Sequence, residues 1–73
     1  MVDTVIRWAR QERGIQMAAL ARAANLTDSN LSRLETGKNK AGPSVRARLA
    51  AALAIPEGEL FDNSGWPREV RNV

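Results

Sequence analysis

Residues 28–33 read Asp-Ser-Asn-Leu-Ser-Arg, and four of the five polar side chains in that run are short groups that donate or accept hydrogen bonds. Asp28, Ser29, Asn30, Ser32 and Arg33 fill no core, and Ser, Asn and Asp compete with the backbone rather than favour a helix. Yet Leu31 and Leu34, placed among and after them, have the spacing of a buried helical stripe. With the leucines turned inward the five polar residues take the outward arc. Their chemistry there is recognition: hydrogen bonds to the edges of another molecule, with one guanidinium for a paired acceptor or an anion. Lys38, Asn39 and Lys40 follow in a basic loop. A merely solvated surface has the same polarity, so the surrounding elements must decide between the two readings.

The totals narrow the partner. A 73-residue chain forms one domain with a small core, which excludes a multi-domain enzyme. Eleven Lys and Arg stand against eight Asp and Glu, and the whole surplus of +3 falls in residues 1–40, leaving the second half balanced. A basic half and a pI near 10.6 favour a polyanion, nucleic acid first. With no Cys and no His, thiol nucleophiles, imidazole catalysis, disulfides and the usual zinc sites are excluded by inventory, and no cofactor is expected. Glu57 and Glu59 are the nearest carboxylate pair, but on a short turn without a base or metal ligand they read as solvated, and no enzyme is expected. "MVDTVIRWAR" carries charges where a secretory leader needs an apolar run, and "LAAALAI" is too short to span a bilayer. The expectation is a cytoplasmic, nucleoid-associated protein.

The periodicity predicts an all-α fold of four to five helices with no strand. Helix one is expected over Thr4–Arg13, with Asp3 as cap, Val5, Ile6 and Ala9 inward, and Gly14 closing it. A second runs over Gln16–Ala24 with Leu20, Ala21 and Ala24 inward. Asn25 tolerates the left-handed conformation that reverses the chain, and Thr27 caps a third helix from Asp28 to about Thr36. Gly37 ends that helix. Gly42 and Pro43 open a fourth, whose Val45, Leu49, Ala52 and Leu53 form one stripe and which Pro56 stops. "EGELF" then makes a further turn that places Leu60 and Phe61 in the core. The domain is expected to occupy residues 1–61, with 62–73, rich in Gly, Pro and Asn, as a loosely held tail and possible dimer contact.

Two helices can be joined by so tight a turn only if a small residue lets the backbones approach and a left-handed residue reverses the path. Ala21 and Asn25 supply these. With "IRWARQERGIQMAALARAANL" and "LSRLETGKNKAGPSVRARLAAALAIPEGELF" the chain resembles the phage-repressor-like (lambda-repressor-like) helix-turn-helix family, of the xenobiotic-response-element type, over nearly all of residues 4–61. The resemblance implies a five-helix DNA-binding domain whose third helix enters the major groove while the second crosses above it. Paired domains would read two half-sites about one DNA turn apart. It also implies a salt bridge between Arg10 and Glu35, with a structural role.

On that footing Asp28, Ser29, Asn30, Ser32 and Arg33 are expected at base edges. Asn30 suits adenine, and Arg33 guanine or a phosphate; Asp28 suits a cytosine amino group, or serves only the helix dipole. Gln16, Met17, Lys38, Asn39 and Lys40 are expected along the phosphates. Here the chain departs from its relatives, which usually carry Ser then Gln where it has Gln16 and Met17. Either Gln16 takes over the contact, or it is lost, or Met17 replaces it by touching a thymine methyl. The leading expectation is a small dimeric repressor of phage or mobile-element type that binds double-stranded DNA. The alternative is an antitoxin-like or bridging protein that binds a protein partner through Trp66, Val70 and Val73 of the tail, where Trp66 and Val70 otherwise pack on their own body or on a second subunit.

Overall fold

Left-handed residues set the path of the chain. In the computed structural model, which describes residues 3–70, helices run over Val5–Glu12 (α1), Met17–Ala23 (α2), Asp28–Glu35 (α3), Pro43–Leu53 (α4) and Glu57–Leu60 (α5), with no strand among the described residues. The first four end alike. Gly14, Asn25, Gly37 and Ala54 have φ of 64°, 56°, 73° and 55°. The next N–H in each case reaches back five residues, from Ile15 to the Arg10 carbonyl, Leu26 to Ala21, Lys38 to Arg33 and Ile55 to Ala50. This closure satisfies carbonyls that the helix end would otherwise orphan. Ala54, not Pro56, therefore terminates α4; Pro56 instead opens α5.

Thr4, not Asp3, caps α1. Its extended backbone aims Oγ1 at the Arg7 N–H, 3.3 Å away, while the Asp3 carboxylate pairs with Arg7 one turn on. The Thr4 hydroxyl also donates to the Glu35 carbonyl at 2.8 Å, joining the start of α1 to the end of α3. Beside it the Arg10 fork meets the Glu35 carboxylate, Nε on Oε2 and Nη2 on Oε1 at 3.1 Å. Nη1 of the same guanidinium donates to the Ile15 carbonyl at 3.0 Å. The side chains of Glu35 and Arg10 are only 2% and 12% exposed, so this pair is held largely away from water.

The core gathers one stripe from every helix: Ile6 and Ala9, Leu20, Ala21 and Ala24, Leu31 and Leu34, Leu49 and Leu53, and Leu60 with Phe61. Val5, Leu26, Val45 and Ala52 pack at its margin.

Residues 62–70 are not a loose tail. The Arg68 backbone lies between two neighbours, its N–H donating to the Leu60 carbonyl at 2.9 Å and its carbonyl accepting from the Val5 N–H at 2.8 Å. Val70 N–H reaches the Asp3 carbonyl, and single antiparallel bridges join Thr4 to Glu69 and Phe61 to Pro67. Gly65, at φ 91°, turns so close to the fourth-helix side that a Cβ there would stand 2.6 Å from the Ala41 carbonyl oxygen and 2.4 Å from Arg46 Nη1. Pro and Gly, read from the sequence as signs of looseness, here mark a buried Pro67 and a backbone contact that admits no side chain. Val73 lies outside the described residues.

Two outcomes are expected in urea unfolding. Ala54→Gly, at an exposed left-handed site, gains about 0.5–1 kcal/mol by relieving the Cβ penalty, whereas Gly65→Ala loses about 2 kcal/mol or more to the clash and the positive φ. Arg10→Met, which leaves the Glu35 carboxylate unpaired, costs about 3–5 kcal/mol, and adding Glu35→Gln recovers part of that loss.

Candidate nucleic-acid interface

The turn between α2 and α3 is fixed from inside and outside. Ala21, 1% exposed, lets the helices approach, and Asn25 reverses the chain. From α4, Arg48 Nε donates to the Ala24 carbonyl at 2.8 Å, adding a partner at the very end of α2. Three residues on, Thr27 Oγ1 accepts from the Asn30 N–H at 3.1 Å and caps α3. The start of α3 is thereby set relative to α2, and its end is set by Thr4 and Arg10.

Between these anchors α3 has two unlike sides. Leu31, Leu34 and Glu35 are buried, whereas Asp28, Ser29, Asn30 and Arg33 are exposed. Ser32 is half-buried and lines a depression of about 230 Å³ with Arg7, Arg10, Met17, Glu35 and Thr36. It stands at the edge of the open arc rather than on it. Thr36 is tied back by its hydroxyl, which donates to the Ser32 carbonyl at 2.9 Å.

Lys38 and Lys40 are exposed, and Asn39 is half-buried. Asn39 and Lys40 share a depression of about 220 Å³ with Asn30, Leu34 and Val45, so the basic loop adjoins the outward arc of α3. At the start of α2 the two candidates part ways. Gln16 is exposed and its side chain makes no capping bond, while Met17 is partly buried against the core margin and beside Ser32.

The cations divide into two sets. Arg7, Arg10 and Arg46 are salt-bridged to Asp3, Glu35 and Glu57, and Arg13, Arg48 and Arg68 donate to backbone carbonyls. Among the described residues, Arg22, Arg33, Lys38 and Lys40 make neither kind of contact. Three of these four are on α3 or the loop that follows it. The fourth, Arg22, went unremarked in the sequence; it is exposed and lines a depression with Asn25, Thr27 and Asp28 at the start of α3. A signal was present in its place three residues before the left-handed turn, where an outward side chain stays near the start of the next helix.

Among the described residues, no helix is long and apolar enough to cross a membrane. Compared with known proteins, the chain finds no match among curated sequences. A helix-turn-helix family model matches residues 6–60, from the second residue of α1 to the last of α5. With the capped, left-handed turn between α2 and α3 and the polar outer side of α3, this match settles the family: the chain belongs to the phage-repressor-like helix-turn-helix family of DNA-binding regulators.

Proposed function

We propose that the protein is a sequence-specific repressor that occupies an operator as a dimer, with α3 of each subunit in the major groove. The observation that carries this reading is the coincidence of the exposed polar arc of α3 with cations that have no partner within the described chain. Asp28, Ser29, Asn30 and Arg33 then read base edges, with Ser32 at the margin. Lys38 and Lys40 neutralise phosphates, Asn39 supports them, and Gln16 rather than the half-covered Met17 serves the backbone at the start of α2. Arg22 is a further cation for the same backbone.

A second subunit is needed for useful affinity. One module of this kind binds non-specific duplex at about 10⁻⁴–10⁻⁶ M, and linking two recognition helices multiplies that. Trp8 and Trp66, 47% and 42% exposed, are the large apolar side chains left in solvent among the described residues and suit such a contact. An antitoxin-like role would draw on the same two residues, since Pro67 is buried and the backbone of residues 66–70 is bonded to the body.

The test is binding to a duplex selected from a random library, compared with a scrambled duplex at two salt concentrations. Asn30→Ala is expected to narrow the gap between the two duplexes by about 1–3 kcal/mol, while Lys38→Ala weakens both alike and flattens the salt slope by about one. If both variants lost affinity in the same pattern, the division into readers and anchors would be wrong.

A further inference from the structure

The segment that follows α5 reaches the phosphate loop at one residue. Ala41 ends the Lys38–Lys40 loop, and both of its backbone groups are taken: its N–H donates to the Gly65 carbonyl at 2.9 Å, and its carbonyl accepts from Arg46 Nη1 at 3.0 Å. Ala41 is also buried, at 6% exposure. Gly65 is delivered to that point by a turn organised around Asp62. One carboxylate oxygen, Oδ1, accepts from the Ser64 N–H at 2.9 Å and from the Trp66 N–H at 3.0 Å. The Asp62 backbone closes the same turn, accepting from the Gly65 N–H and donating to the Trp66 carbonyl. Beyond the turn, residues 66–70 are bonded on one side to Leu60 and Asp62 and on the other to Asp3 and Val5.

We infer that Asp62 is a positioning residue for DNA binding: through Gly65 and Ala41 it holds the loop that carries Lys38 and Lys40 against the end of α3. The inference rests on the proposed role of that loop as a phosphate anchor. Two flexible lysine stems gain little from a phosphate if the backbone beneath them must also be ordered on binding, because that ordering is subtracted from the affinity. The strap orders the backbone beforehand. It does so at the loop's far end, while Lys38 N–H, bonded to the Arg33 carbonyl at 2.8 Å, fixes the near end.

Charge makes the test decisive. Asp62→Ala and Asp62→Asn remove the same negative charge, and that loss by itself strengthens binding to a polyanion. Only Asn keeps an Oδ1 that can accept from Ser64 and Trp66. Binding of the full chain to an arbitrary-sequence duplex is measured across a salt series, with folding of each variant checked by circular dichroism. The expected result is that Asp62→Ala binds about threefold or more weakly than Asp62→Asn, with a salt slope flatter by about one. Lys38→Ala should then cost less in the Asp62→Ala background than alone, the sign of a shared path. If Lys38→Ala weakens binding while Asp62→Ala matches Asp62→Asn, the inference about Asp62 falls and the anchor loop stands. If Lys38→Ala has no effect, both fall. Should Asp62→Ala not fold, amide exchange in the unaltered protein decides, because coupling is reciprocal. Saturating duplex must slow Ala41 and Trp66 more than Ile55, which is not bonded to the strap, and equal slowing of the three overturns the inference.

Discussion

Glu35 ends α3 with its carboxylate almost out of water, and a charge in that position is tolerated only beside an opposite charge of fixed geometry. Arg10 supplies it from α1 with a two-toothed fork, and Thr4 adds a bond to the carbonyl of the same residue. A guanidinium suits this role where an ammonium would not, because its planar donors fix direction as well as charge. The consequence runs along the helix. With its last turn held by α1 and its first by Thr27 and the Asn25 reversal, α3 needs no side chain on its outer side for support. That side is free to carry Asp28, Ser29, Asn30 and Arg33, residues chosen for hydrogen bonding instead of packing.

The same division of labour covers the other cations. Six arginines are spent on carboxylates or on carbonyls at helix ends and turns, where a rigid fork is useful. Both lysines stay in solvent on the loop after α3. A flexible point charge suits the phosphate contact proposed for that loop, whose exact register varies, as a rigid fork suits the carboxylates and carbonyls that the six arginines meet. Net charge alone conceals this, since the surplus of +3 counts structural and available cations together.

Helices and their ends were largely legible because each rests on local signals. Gly14, Asn25 and Gly37 announce left-handed closures, Thr27 announces a cap, and the spacing of Leu31 and Leu34 fixes which side of α3 is dry. Where local signals competed, tertiary partners decided. Thr4 prevails over Asp3 as cap because its hydroxyl also meets the end of α3, and Ala54 takes a conformation alanine disfavours because α4 must turn there to bury Leu60 and Phe61. Residues 62–70 depart from the loosely held segment that their composition predicts for a related reason. Gly65 and Pro67 have the composition of a loose segment, and only contacts distant in sequence, to Ala41, Leu60 and Val5, reveal a strap. The half-burial of Ser32 and Met17 was likewise beyond a periodicity argument, since it depends on how α1 and α2 lean over the last turns of α3.

The most direct test of the account is a backbone amide titration by nuclear magnetic resonance, in which a selected duplex is added to the isotopically labelled protein. The largest shifts are expected along residues 28–33 and 38–40, with the α4–α5 corner nearly still. Shifts concentrated at Trp8 and Trp66 while Ser29, Asn30 and Arg33 stay unmoved would contradict it.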